Sequence, residues 1–99
     1  MQKKILTLVV VVEVKAEKKE FVKNEMEKLV IESRKEGGCI DYTIHEDIEN
    51  ENRFVFYENW KSTEDWQMHE STKHFQEYCH VTEGFIDIVS RYSLSKIEY

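Results

Sequence analysis

The stretch from Glu58 to Phe75, ENWKSTEDWQMHESTKHF, places two tryptophans and two histidines within eighteen residues. His69 follows Trp66 by three positions, so on a helix both side chains lie on one side. Because the indole is apolar, we expect this side to face the interior. Burial can bring the pKa of an imidazole close to neutrality, which suits a general base. His69 is therefore a candidate catalytic base; a core histidine bonded to a backbone carbonyl would show the same spacing.

A carboxylate stands on the strand pattern at the start of this stretch. RFVFYENW (53–60) alternates, which puts Glu58 on one face with Trp60 and two phenylalanines. A carboxylate in such an apolar wall needs a partner or has a raised pKa, and His69 or Arg91 could be that partner. The alternative is that Glu58 reaches water at the end of the strand.

Three further aromatic side chains are candidates for binding a ligand. Tyr42 shares a strand face with Ile40 and Ile44, so its hydroxyl could bond a substrate oxygen or be the solvated tip of a packed ring. Trp60 and Trp66 would provide flat apolar walls suited to a planar ring, although aromatic residues at strand and helix spacing are more often core.

The spacing of the histidines argues against a metal site. His69 and His74 are five residues apart, and His74 and His80 are six apart, whereas two ligands on one helix face are three or four apart. Glu and His pairs at allowed spacings arise freely in a chain that is 34% charged. There is also no Gly-rich phosphate loop and no Gly-x-Ser-x-Gly elbow. We therefore predict no metal and no nucleophilic catalysis.

Length and charge narrow the class of protein. The 99 residues suffice for one domain over 1–99, and a net charge of −6 disfavours nucleic-acid and membrane partners. Cys39 and Cys79 match neither a zinc spacing nor a secreted disulfide framework. These observations predict a cytoplasmic protein with reduced thiols.

The N-terminal stretch is similar to a short signal peptide, with Lys3 and Lys4 before the apolar or neutral run Ile5–Val12. Glu13 and Lys15 follow at once, without a small-residue cleavage site, and eight residues cannot span a bilayer. The four consecutive valines instead indicate a β-strand of the mature protein.

The remaining periodicities predict the order β-α-β-β-α-β. Strands are predicted over 5–14, 39–47, 53–60 and 85–97. An amphipathic helix over 17–35 ends in a left-handed Gly37, and its predicted buried residues are Val22, Met26, Leu29, Val30 and Ser33. A second helix is capped by Ser62 and Asp65 and breaks near Ser71 and Thr72. This order predicts an α+β, ferredoxin-like fold, in which one antiparallel four-stranded sheet carries helices on one face. The first strand is apolar at successive positions, which indicates burial on both faces. We therefore expect a second copy to cover the other face, as a homodimer.

Three segments, EGGCIDY (36–42), FYENW (56–60) followed by KSTED (61–65), and HESTKHF (69–75), resemble the antibiotic biosynthesis monooxygenase family. Its members are small dimeric α+β barrel proteins that include quinol monooxygenases. Gly37 stands where the family usually has Pro. The resemblance implies a dimeric α/β barrel whose reaction needs no flavin, haem or metal. A small quinol or hydroxylated aromatic substrate is deprotonated, and the substrate anion itself passes an electron to molecular oxygen.

The resemblance also implies site residues. The candidate catalytic residues are His69, as base, and Tyr42, as hydrogen-bond donor. The candidate substrate-binding residues are Glu58, Trp60, Trp66, His74 and Phe75. No cofactor is expected.

Three other functions fit the same family likeness. Haem-degrading relatives use an Asn on the first strand and a ligating His, but here the strand has no Asn and Cys79 stands at the His position, before His80. An isomerase of a phosphorylated quorum-sensing sugar would need a cationic cradle, which few basic residues of this acidic chain could supply. A non-catalytic stress-response dimer would bind a small molecule or nothing.

Overall fold

A computed structural model of the chain describes residues 4–99, so Lys3 of the signal-like stretch lies outside the described residues. The strands are β1 (Leu6–Val14), β2 (Cys39–Glu46), β3 (Arg53–Trp60) and β4 (Ile86–Leu94), and the α-helices are α1 (Lys19–Ser33), α2 (Thr63–Glu70) and α3 (Lys73–Thr82). A short 3-10 turn, Ala16–Lys18, precedes α1. None of the described helices is both long enough and apolar enough to cross a membrane.

The four strands form one antiparallel sheet in the order β2-β3-β1-β4. Strands β1 and β3 therefore lie in the middle of the sheet, and β2 and β4 are its edge strands. This is the α+β, ferredoxin-like arrangement that the sequence pattern predicts, with the second helical segment divided in two.

The helices cover one side of the sheet, which we call the inner face. On β1 this face carries Leu8, Val12 and Val14, which are at most 4% exposed. The predicted buried side of α1 is confirmed, because Val22, Met26, Leu29, Val30 and Ser33 are all buried. Each large apolar side chain removed from water in this way contributes about 1.5–3 kcal/mol.

Two hydroxyl caps position α2 and α3. Ser62 Oγ accepts a hydrogen bond from the Asp65 backbone N–H (3.1 Å) and donates one to Asp65 Oδ2 (2.7 Å), which confirms the predicted helix start. Thr72 Oγ1 accepts from the Phe75 backbone N–H (3.3 Å) and donates to the His69 carbonyl (2.7 Å). Thr72 thus ends one helix and begins the next, so the break predicted near this residue is confirmed.

Two local predictions near the start of β2 are wrong. Gly84 is the one described residue with a left-handed backbone, at φ 80°, so Gly37 does not end α1 in that conformation. Gly38 is the constrained glycine, because a Cβ there would collide with the side chain of Asp65. In addition, the β2–β3 register shifts just after Cys39. Ile40 is therefore 44% exposed instead of sharing the buried face of Tyr42.

Candidate active site

A cavity of about 280 Å³ lies between the inner face and the two short helices α2 and α3. Five of the predicted site residues line it: Tyr42, Glu58, Trp66, His69 and Phe75. Its remaining walls are mostly aliphatic and aromatic side chains from β1, β3, α3 and β4. Cavities of this kind, apolar with a few converging polar groups, are the usual form of small-molecule sites.

His69 lies in an aromatic cage at the end of α2. Its ring is 1% exposed, and its centroid is 4.6 Å from that of Trp60, 4.9 Å from Phe75 and 5.5 Å from Tyr42. The helix break places Phe75 here, because the restarted helix turns its first apolar residue toward the ring. The imidazole is therefore fixed in orientation by packing on three sides.

The carboxylate of Glu36, which is not among the predicted site residues, forms a hydrogen bond with His69. Glu36 Oε2 lies 2.7 Å from His69 Nδ1 and also 2.7 Å from His74 Nε2. We assign the His69 tautomer from this network: Nδ1–H donates to the carboxylate, which leaves the lone pair on Nε2. Within the described part of the chain, Nε2 makes no hydrogen bond, and the ring borders the cavity.

Burial lowers the pKa of His69 below its ordinary value of 6.5, and the Glu36 carboxylate opposes this effect by favouring the charged ring. Because the lowering prevails, the ring is neutral at pH 7. A neutral imidazole with a free lone pair and a carboxylate behind it can accept a proton and stabilise the resulting charge.

Glu36, His69 and His74 also present three atoms that could hold a metal ion, all within 4.8 Å of one another. Helical spacing did not predict this grouping, because the interruption between α2 and α3 brings the two histidines together. However, the two separations of 2.7 Å are hydrogen-bond lengths, whereas ligands on a tetrahedral zinc ion lie roughly 3.3 Å apart, given bonds of about 2.0–2.1 Å. The geometry favours a hydrogen-bonded triad.

Glu58 is the second ionisable group in the cavity wall. It is 5% exposed, and its Oε1 accepts a hydrogen bond of 2.9 Å from the Trp60 indole N–H. Burial raises the pKa of Glu58 to about 7, although the indole bond and the charge of Arg91 act in the opposite direction. Glu58 therefore changes charge near neutral pH, and in its acid form it can donate a hydrogen bond to a ligand.

Tyr42 borders the cavity next to His69. The side chain is 2% exposed, and burial, with help from the nearby Glu58 charge, raises the pKa of Tyr42 well above its ordinary value. The phenol therefore stays protonated and can only donate or accept a hydrogen bond. Arg34 fixes the strand here, because its Nε donates to the Tyr42 carbonyl at 2.9 Å.

Two predicted binding residues do not border the cavity. Trp60 is fully buried behind His69, packs against the His69 ring and donates a hydrogen bond to Glu58. His74 is part of a separate surface depression on the other side of the Glu36 carboxylate. Each residue instead bonds a carboxylate near the cavity: Trp60 bonds Glu58, and His74 bonds Glu36.

Trp66 and Arg91 form the rim of the cavity. The Arg91 guanidinium lies over the Trp66 indole, 4.5 Å from its centroid, in a cation–π arrangement. Arg91 reaches this position from β4, where it pairs with Val10 on the inner face. The contact therefore links the wall formed by α2 to the wall formed by β4.

Sequence reasoning missed Glu36 and Tyr78 as wall or support residues. Glu36 begins EGGCIDY, one of the segments on which the family resemblance depends, so that motif carried a signal for it. Tyr78, which lines the cavity from α3, is one helical turn beyond Phe75, and the spacing of apolar residues on that helix would have predicted its direction.

Fold and site together define a class of small ferredoxin-like α+β domains with an aromatic cavity and a buried histidine. Within that class the chain belongs to the antibiotic biosynthesis monooxygenase family, whose family model matches residues 5–81. It is 36% identical over 74 residues to YcnE of Bacillus subtilis (strain 168), a protein named as a proposed monooxygenase. The match covers 75% of this chain and 78% of YcnE.

Solved structures show the same fold. A conserved Bacteroides thetaiotaomicron protein of unknown function is 26% identical with a TM-score of 0.88, over 95% of this chain and 99% of that one. The Pseudomonas aeruginosa protein PA3566 superposes with a TM-score of 0.92 at 24% identity, over 99% of each chain. These likenesses show the fold, and a shared fold does not by itself fix the reaction.

Proposed function

We propose that the protein is a cofactor-independent monooxygenase that oxidises a small quinol or hydroxylated aromatic compound with molecular oxygen. The observation that carries this proposal is the buried His69, whose Nδ1 is 2.7 Å from the Glu36 carboxylate and whose ring borders an apolar cavity. Such a base can deprotonate a weakly acidic phenol inside a site that excludes water.

The proposed reaction begins with proton transfer from a substrate hydroxyl to His69 Nε2. The phenolate then passes electrons to O₂, one oxygen atom becomes bonded to a ring carbon that carried hydrogen, and the other leaves as water. A phenol with a free para C–H thus gives a para-quinone and one water, which balances four electrons against one O₂. Glu36 stabilises the imidazolium, and in this proposal the Tyr42 hydroxyl donates a hydrogen bond to the phenolate oxygen.

Oxygen uptake tests the proposal. Protein treated with a chelator is supplied with a panel of quinols and naphthols, and uptake and quinone absorbance are followed together. We expect enzyme-dependent uptake that survives the chelator and is lost in His69→Gln. Tight binding of the panel without uptake would favour a non-catalytic binding protein, and uptake abolished by the chelator would contradict the cofactor-free reaction.

The isomerase alternative gains little from the cavity wall. Arg91 is the one cation among its lining residues, which also include Glu58, Glu70 and Glu83. A phosphorylated sugar would meet more negative than positive charge in this described part of the site. Turnover of such a sugar without any oxygen uptake would nevertheless overturn the monooxygenase proposal.

We also propose a homodimer formed through the side of the sheet that no helix covers, which we call the outer face. By strand register its centre consists of Val9 beside Tyr57 and Tyr92, and Val11 beside Val55. Tyr57 and Tyr92 are 41% and 53% exposed. A contiguous apolar surface of this kind is typical of an interaction site. A reducing, cytoplasmic setting fits the free Cys39 and Cys79.

A further inference from the structure

One cluster contains three side chains of types that bind transition metals: Glu36, His69 and His74. Glu36 Oε2 lies 2.7 Å from His69 Nδ1 and 2.7 Å from His74 Nε2, and the three atoms lie within 4.8 Å of one another. Two imidazole nitrogens and one carboxylate oxygen are also the protein ligands of catalytic zinc sites in which water completes the tetrahedron. Without an ion, such groups hydrogen-bond to one another, so the triad described above is the form expected of a metal-free site.

The triad can open for an ion because its carboxylate belongs to a loop. The separations between Glu36 Oε2 and the two nitrogens have to widen from 2.7 Å to roughly 3.3 Å around a tetrahedral zinc ion. Glu36 lies between the end of α1 and the start of β2, so its side chain can withdraw by this amount without disturbing a helix or a strand. The two histidines lie at the adjoining ends of α2 and α3, where the hydrogen bonds of Thr72 fix the backbone.

The triad meets the protein surface at His74. The His74 side chain is 24% exposed and lines a depression outside the cavity, whereas the His69 side chain is 1% exposed. The described residues that line this depression include three carboxylates and one ammonium: Glu25, Glu32, Glu77 and Lys28. This excess of negative charge attracts cations to the exposed side of the triad.

We propose that Glu36, His69 and His74 form a binding site for a divalent transition-metal ion of the zinc type, and that the bound ion switches His69 off as a base. Each ring binds the ion through a nitrogen that has lost its hydrogen, so His69 stays neutral and carries its hydrogen on Nε2. In that tautomer Nε2 has no lone pair for a substrate proton. Imidazole and carboxylate ligands favour such an ion over magnesium or calcium.

The position of the ion makes it an inhibitor instead of a participant in the reaction. It would lie beside Glu36 and His74, which are not among the described residues that line the cavity. A ligand in the cavity therefore meets the far side of the His69 ring and not the metal. The inhibition rests on the proposed function, but the binding of the ion and the change of tautomer do not.

Zinc binding to chelator-treated protein tests the site. Isothermal titration calorimetry should show one ion per chain, with a Kd in the micromolar range or tighter, for the wild type and for the control His80→Gln, which changes an exposed histidine of the same helix. His74→Gln can still donate a hydrogen bond to Glu36 but is a poor ligand, so its affinity for zinc should fall by at least about a hundredfold. Wild-type binding only at millimolar zinc, or unchanged affinity in His74→Gln, would overturn the proposal.

Nitrogen NMR of the wild type, labelled at histidine, reports the switch directly. His69 Nε2 should lack hydrogen before zinc is added and carry hydrogen afterwards, and an unchanged Nε2 would refute the loss of the base. On a substrate confirmed by oxygen uptake, saturating zinc should slow the wild type by about 10²- to 10⁴-fold, and a chelator should restore the rate. His74→Gln, compared with its own metal-free rate, should not respond to the same zinc concentration; equal inhibition of both proteins would contradict the switch. Zinc binding with the change of tautomer, but without oxygen uptake by any form, would leave this inference standing and contradict only the monooxygenase reaction.

Discussion

The two faces of the sheet carry different kinds of side chain, although the same strands build both. On the inner face Leu8, Phe54 and Trp60 are at most 1% exposed, and the ionisable groups are individually paired. On the outer face the residues between them in sequence are half-buried or exposed, and the centre is apolar. Alternation along a strand allows one segment to serve two surfaces, so substitutions of neighbouring residues can test them separately.

This comparison suggests a division of roles. Two ionisable groups on this side of the sheet have defined partners: the Glu36 carboxylate bonds His69, and the Trp60 indole N–H bonds Glu58. On the outer face, charged groups are confined to the ends of the strands, as in the 2.9 Å ion pair between Arg53 and Glu13. An apolar centre with a polar border is the usual composition of a protein–protein interface. These compositions agree with the two proposals, of chemistry at the inner face and of association through the outer face.

The largest expected effect comes from Val11→Asp at the centre of the outer face. A carboxylate buried without a partner costs several kcal/mol, and a symmetric dimer would bury two. We expect the dimer dissociation constant to rise by at least about a thousandfold, as measured by sedimentation over a range of protein concentrations. Ile48→Asp is the control, because Ile48 is fully exposed in the turn before β3. A monomeric wild type at low micromolar concentration, or an unaffected Val11→Asp, would contradict the dimer.

On the inner face, the largest effect should come from His69→Gln. Glutamine keeps some hydrogen bonding but cannot take a proton, so turnover should fall by about 10²- to 10⁴-fold. The dimer should remain intact. Because the pKa of His69 is lowered, the acid limb of the wild-type rate profile should lie below pH 6.5. His80→Gln, at an exposed position, is the control. Full activity of His69→Gln on a confirmed substrate would refute the base assignment.

The fold could be predicted because its signals are local. The bounds of β3 follow from strict alternation over 53–60, and the five buried residues of α1 follow from helical spacing. The break at Thr72 was also predictable, since a hydroxyl residue at that position caps a new helix.

The missed features depend on contacts between distant parts of the chain. Glu36 lies in a loop 33 residues before His69, and loop residues carry no periodicity that reports their direction. The irregular register after Cys39 exposes Ile40, and alternation cannot reveal where a strand departs from it. Likewise, whether the Tyr78 hydroxyl has a partner is decided only by which side chains surround it.

A smaller effect on the inner face concerns the pH dependence of stability through Glu58. Its pKa is raised from 4.5 to about 7, so between these values the folded state binds more protons than the unfolded state. The contribution of Glu58 to the free energy of unfolding therefore falls as pH rises through this window, by roughly 3 kcal/mol in total. Glu58→Gln keeps an oxygen for the Trp60 N–H but does not titrate.

Urea unfolding at fixed protein concentration between pH 5 and 8.5 measures this effect. The stability of Glu58→Gln relative to the wild type should increase with pH across the window. Glu83→Gln at the exposed mouth of the cavity should show the same pH dependence as the wild type. Parallel curves for wild type and Glu58→Gln would show that the buried carboxylate is better solvated than its surroundings indicate.

The smallest effect should come from Trp66→Phe at the rim. Trp60→Phe provides the comparison, because Trp60 does not border the cavity. Trp66 lines the cavity under Arg91, so a phenyl ring there reduces the wall area and weakens a contact of about 0.5–1 kcal/mol. We expect KM to rise severalfold while kcat stays within about twofold, because the base is untouched.

Trp60→Phe should behave oppositely. It removes the N–H that bonds Glu58, which lowers the free energy of unfolding by about 1–3 kcal/mol, whereas the ligand contacts remain. Steady-state kinetics and unfolding measurements on both variants test these two expectations. If Trp66→Phe lowered kcat as strongly as His69→Gln, the rim would be part of the reacting centre and the ligand would sit closer to Arg91 than to His69.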